Sequence, residues 1–114
     1  MKQFIQRWNA RIGQLESCAK GIAQLLRVGG QMQAALGRIE ERQLRGRGTG
    51  LLSDYEFKTW SQWGEDGIIQ HLIRCVPIAH PVFVEFGVES YTEANTRFLL
   101  TQNHWSGLVF DGGE

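Results

Sequence analysis

Val82-Phe83-Val84-Glu85-Phe86-Gly87 is a short run of β-branched and aromatic residues, apolar at successive positions and closed by a glycine. Such a run suits a buried parallel strand better than a half-exposed antiparallel one. Gly107-Leu108-Val109-Phe110-Asp111 repeats the pattern with an acid at its end. Between them, Thr92 to Gln102 places Ala94, Phe98 and Leu99 on one side and reads as a helix. Strand, helix and strand within about 30 residues form a βαβ unit with a right-handed crossover. The fold class is therefore α/β.

Working outward, Ser61 is the expected cap of a preceding helix, whose buried stripe is Ile68, Ile69, Leu72, Ile73 and Val76. Pro77 and Pro81 bracket the turn that ends it. Asp54-Tyr55-Glu56-Phe57 reads as an irregular approach segment. Arg45-Gly46-Arg47-Gly48-Thr49-Gly50 has glycine at alternate positions and no apolar residue, which marks a linker. Upstream, Ile5, Trp8, Ile12, Leu15, Ala19, Ile22 and Leu26 recur at alternating three- and four-residue steps, the spacing of a heptad seam on a helix. Gly29 and Gly30 are expected to interrupt it. Met32, Ala35, Leu36 and Ile39 resume in a shifted frame, as a kink or a second helix folding back would.

Charge divides the chain in the same place. Residues 1–47 hold nine Lys/Arg and three Asp/Glu, whereas residues 48–114 hold three and nine, so a formal net charge of zero hides a basic and an acidic half. The basic residues are spread around a helix, as on a solvated face. Only Lys58, Arg74 and Arg97 are basic in the second half, which argues against nucleic acid as its ligand. Cys18 and Cys75 lack metal or disulfide spacing, and a reducing compartment is the default. No apolar run reaches the length of a membrane span or a signal sequence, so a cytoplasmic location is expected.

In a βαβ unit the ligand lies beyond the carboxyl ends of the strands. Those positions hold Glu85, Gly87 and Glu89 after the first strand and Asp111 after the second. A glycine lets the backbone approach a ligand, and a carboxylate accepts hydrogen bonds from both hydroxyls of a ribose. The pattern also suits any α/β protein. A dinucleotide oxidoreductase is the nearest enzymatic alternative, but Glu89 and Tyr91 stand where its later glycines belong. Elsewhere, His71 and Cys75 are four apart without a second pair, and no metal site is expected. His80 and His104 read as loop residues, and the four tryptophans as packing residues.

Four ordered blocks carry a resemblance. Trp60-Ser61-Gln62-Trp63-Gly64-Glu65-Asp66-Gly67-Ile68-Ile69, Phe83 to Val88, Tyr91 to Leu99 and Trp105 to Gly112 together resemble the start of FkbM-like class I S-adenosylmethionine-dependent methyltransferases. The resemblance covers about half the chain. It implies a Rossmann-like methyltransferase domain begun as helix, strand, helix and strand, and preceded by a long helical, coiled-coil-like region. The expected division is 1–45 helical, 46–59 linker and approach, and 60–114 a partial S-adenosylmethionine-binding domain.

The resemblance also implies roles. Glu85 and Gly87 fall where such enzymes contact the amino-acid part of S-adenosylmethionine, and Asp111 where they bind its ribose. Ser61, Gln62 and Asp66 fall on the helix that closes over the methionine tail. Glu89 either bonds the cofactor's ammonium or caps the following helix. The implied reaction is methyl transfer to a hydroxyl of a glycan or small molecule, with its base among later strands; for these residues alone no turnover is expected. The heptad seam supports a different reading, a non-catalytic oligomerisation module or homo-oligomer contact through the N-terminal helix.

Overall fold

The computed structural model describes residues 1–47 and 50–112. It contains three α-helices and two β-strands in the order α1 (Lys2–Leu44), α2 (Glu65–Cys75), β1 (Val82–Phe86), α3 (Arg97–Gln102) and β2 (Ser106–Phe110), with a 3-10 turn at Leu52–Tyr55 ahead of α2. The chain divides into two compact units, Met1–Gln33 and Ala34–Glu114, and α1 contributes to both. Part of the expected linker, Gly48 and Thr49, lies outside the described residues.

From Lys2 onward the first unit is a single helical stretch. Its apolar stripe is open to solvent, with Phe4 and Leu26 each 73% exposed and Trp8 58%. Gly29 and Gly30 do not interrupt α1, contrary to the sequence expectation. Two glycines cost a helix only about 2 kcal/mol relative to alanine, and they stand between strong helix formers on both sides, Leu25-Leu26 and Met32 to Leu36.

The second unit is built around Leu44, Tyr55, Phe57 and Phe98, with Trp60 packed against them. The Phe57 and Phe98 rings meet edge to face at 5.3 Å. The last turns of α1 belong to this core. Gly37 lies where a Cβ would come within 2.1 Å of Thr59 Oγ1, and Glu41 pairs with Arg74 of α2 at 2.7 Å. The approach segment from Asp54 to Phe57 has a 3-10 turn and no other regular structure, and two of its side chains, Tyr55 and Phe57, enter the interior. Tyr55, at the end of the 3-10 turn, and Phe57, Thr59 and Ser61, in the irregular segment after it, are all buried.

The buried face of α2 is not the one its apolar stripe suggests. Asp66, Gly67 and Gln70 are buried, while Leu72 and Val76 are exposed and Ile68, Ile69 and Ile73 half-buried. Hydrogen bonds outweigh hydropathy here. Gln70 and Asn103 exchange two amide hydrogen bonds of 2.8 and 3.0 Å, and Asp66 binds the backbone of the bend at Thr59 to Ser61. Gly67 permits the approach, since a Cβ there would lie 1.9 Å from the Tyr55 carbonyl oxygen. Gly64, not Ser61, is the N-cap residue, although Ser61 Oγ still accepts the Asp66 N–H at 3.1 Å.

β1 and β2 pair in parallel, Val82 with Ser106 through Phe86 with Phe110. On one face Phe83 packs over Gly107, and the face is partly covered. On the other, Val82, Val84, Phe86, Leu108 and Phe110 are exposed, which differs from the expected burial on both sides. α3 is shorter than predicted. Residues 92–96 are non-helical, with turns at Thr92 and at Asn95-Thr96, and the helix begins only at Arg97.

Candidate functional site

At the carboxyl end of β1 the chain turns through Gly87, whose φ of +74° is costly for any residue with a Cβ. The Gly87 N–H donates to the Phe110 carbonyl at 2.9 Å. Gly87 and Asp111 therefore leave the same rim of two adjacent parallel strands. In front of this rim lies a cleft of about 610 Å³, lined by Gln62, Glu85, Gly87, Glu89, Ser90 and Glu93 among others.

Glu85 shapes the cleft floor. Its carboxylate accepts the N–H of Asn95 at 2.8 Å and of Thr96 at 3.0 Å, together with the Thr96 hydroxyl. Three of its roughly four acceptor positions are thereby used, which ties the turn before α3 to β1. This is also why α3 starts late: the N–H groups at 95 and 96 are drawn to a strand carboxylate rather than into a helical ladder. Glu89 is exposed and lines the cleft, leaving its carboxylate accessible. Across the cleft, Lys58 donates to the Gln62 carbonyl at 2.7 Å and approaches Glu93 at 3.9 Å, which links the two walls. The Trp60 carbonyl accepts the Ala94 N–H at 3.0 Å, and the Arg97 guanidinium stacks 4.3 Å from the Trp60 ring centre.

The structure does not bring Ser61 and Asp66 to this cleft. Both are fully buried. Asp66 Oδ2 accepts the N–H groups of Thr59, Trp60 and Ser61 and the Ser61 hydroxyl, at 2.6 to 3.0 Å. That role organises the loop bearing Gln62, so these two residues act on the cleft through its wall. Glu65, at the first turn of α2, accepts the N–H groups of Trp63 and Gly64, each at 2.9 Å. Partial burial pushes its pKa up, but the backbone N–H bonds from Gly64, Trp63 and its own residue, with the Ser61 hydroxyl, outweigh burial and leave it below the ordinary value. Asp111 is exposed directly after β2 and does not line the cleft.

Sequence reasoning passes over Ser90 and Glu93. The recurrence of glutamate at 85, 89 and 93 was the available signal. Its consequence is that three carboxylates line the cleft, with the Lys58 ammonium 3.9 Å from that of Glu93. His71 of α2 stacks on Tyr55 at 3.6 Å and sits 3.6 Å from Cys75 Sγ. Among the described residues no group of three or more His, Cys, Asp or Glu side chains is arranged to hold a metal ion. No described helix is long and apolar enough to cross a membrane. No family model, curated protein or solved structure matches the chain.

Proposed function

We propose that the second unit carries the cofactor-binding start of an S-adenosylmethionine-dependent O-methyltransferase domain of the FkbM-like kind, acting on a hydroxyl of a glycan or small molecule. One observation carries the reading. Gly87, in the left-handed region, and Asp111 share the carboxyl-end rim of adjacent parallel strands, beside a cleft walled by Glu85, Glu89 and Glu93. That rim is where open α/β sheets bind nucleosides.

The residues present fit the cofactor's charge. S-adenosylmethionine brings a sulfonium and an ammonium, and carboxylates in a partly enclosed cleft attract cations. Nothing lies within 4 Å of the Cβ direction at Gly87, so the backbone is open to a ligand there. In this reading Asp111 accepts the ribose hydroxyls, Glu89 accepts the ammonium, Glu85 holds the turn at Asn95 and Thr96, and Gln62 closes the cleft from the opposite wall. When bound, the cofactor supplies an electrophilic methyl group with a neutral leaving group, so the protein's task is alignment of the acceptor and removal of its proton. The dinucleotide alternative fares worse in the same cleft, because a pyrophosphate would face three carboxylates.

Calorimetry with S-adenosylhomocysteine and with NAD tests the proposal. Saturable binding of the former, weakened about tenfold or more by Asp111→Ala, is the expected result. Preference for NAD, or binding indifferent to both Asp111→Ala and Glu89→Gln, would remove the methyltransferase reading.

A further inference from the structure

The first unit presents a chemical problem of its own. A helix draws most of its stability from burying an amphipathic face, and isolated helices are marginal in water. Here Gly13, Gly21, Gly29 and Gly30 weaken the helix further, yet Ile5, Trp8, Leu15, Ile22 and Leu26 are each more than half exposed. The seam needs a cover of the same length. Its side-chain sizes identify that cover.

We infer that residues 1–26 pair with the same segment of a second copy as an antiparallel two-helix coil, in which a seam residue i at a or d faces the partner's seam residue 27−i. With Ile5 at a and Trp8 at d, the a and d positions run Met1, Ile5, Trp8, Ile12, Leu15, Ala19, Ile22 and Leu26. Antiparallel pairing sets a against d. The layers become Met1 with the partner's Leu26, Ile5 with Ile22, Trp8 with Ala19, and Ile12 with Leu15. The largest seam residue meets the smallest, which equalises layer volumes as close packing requires.

Two flanking residues fall into place as well. Phe4 is 73% exposed and Leu25 72%, both at g positions, which face each other in antiparallel pairs. In this register they meet, extending the apolar contact at each end. Glu16 faces Asn9, and Arg11 faces Cys18, so no like charges are opposed.

A parallel in-register pair is the principal rival, and it would set Arg11 beside the partner's Glu16. Its layers are worse. Trp8 would oppose Trp8 and Ala19 oppose Ala19, giving one overfilled and one underfilled layer, while Phe4 would face Asn9 and Leu25 would face Gly30. Two exposed ion pairs weigh less than two mis-sized layers. This inference is independent of the methyltransferase reading, since it uses only residues of the first unit.

Sedimentation equilibrium of the full chain should show a dimer. Ala19→Trp, which opposes two tryptophans, should weaken dimerisation at least tenfold, and Trp8→Ala/Ala19→Trp should recover it. Spin labels at Gln3→Cys, with Cys18→Ser and Cys75→Ser, should lie about 30 Å apart, because antiparallel pairing sets each label about 21 residues of helical rise from its mate. A monomer well above micromolar concentration, a trimer or tetramer, no recovery in the double variant, or labels within about 20 Å would each overturn the inference.

Discussion

At the scale of single residues, the most consequential side chain is Asp66, whose identity as a buried acid on a helix looks anomalous until its partners are counted. One oxygen gathers three backbone N–H groups and a hydroxyl from Thr59 to Ser61. Asp66→Ala strands those donors in the interior and is expected to cost about 3–5 kcal/mol, read as a lower urea midpoint. Gly67→Ala is expected to destabilise by about 2 kcal/mol or more, because a Cβ there would collide with the Tyr55 carbonyl. Glu65 contributes to the acid sensitivity of the fold. Its folded pKa lies below the unfolded value, so its contribution is complete above the ordinary carboxylate pKa and is lost as pH falls through the lower folded value. Urea midpoints measured from neutral pH down to about pH 2 should therefore fall less steeply for Glu65→Gln than for the wild type at the acid end.

At the scale of elements, the outcome of α3 and α2 shows where local patterns yield to tertiary partners. The helical pattern from Thr92 to Gln102 is real, but Glu85 on β1 claims the N–H groups at 95 and 96, and only the last six residues become helix. Glu85→Ala should free both amides, seen as faster hydrogen exchange at Asn95 and Thr96, and destabilise the unit by about 1–3 kcal/mol. The stripe Ile68, Ile69, Leu72, Ile73 and Val76 was legible as apolar but pointed to the wrong face. No periodicity reveals that Gln70 finds Asn103, or that Asp66 finds a loop, because both partners are remote or non-helical. The strands were legible to within a residue, β2 running from Ser106 to Phe110.

At the scale of the whole molecule, two units with different sources of stability share one 43-residue helix. The second unit has an aromatic core and long-range hydrogen bonds. The first has an exposed seam. Hydrogen exchange in residues 5–26 is therefore expected to slow with rising protein concentration, while exchange in β1 and β2 stays constant; equal behaviour in both regions would contradict this division. What the sequence determined by itself was an N-terminal helix with apolar residues at heptad spacing, two parallel strands, and a glycine and an acid at one rim. What only the tertiary structure decided was which surfaces are covered and which polar groups are consumed. It placed Gln62, Glu85, Gly87 and Glu89 around one cleft, withdrew Ser61 and Asp66 into its wall, and left one sheet face open. The physical reason is that hydrophobic spacing specifies that a face seeks cover, whereas the choice between covering it and burying a polar face beside it depends on hydrogen-bond partners far away in sequence.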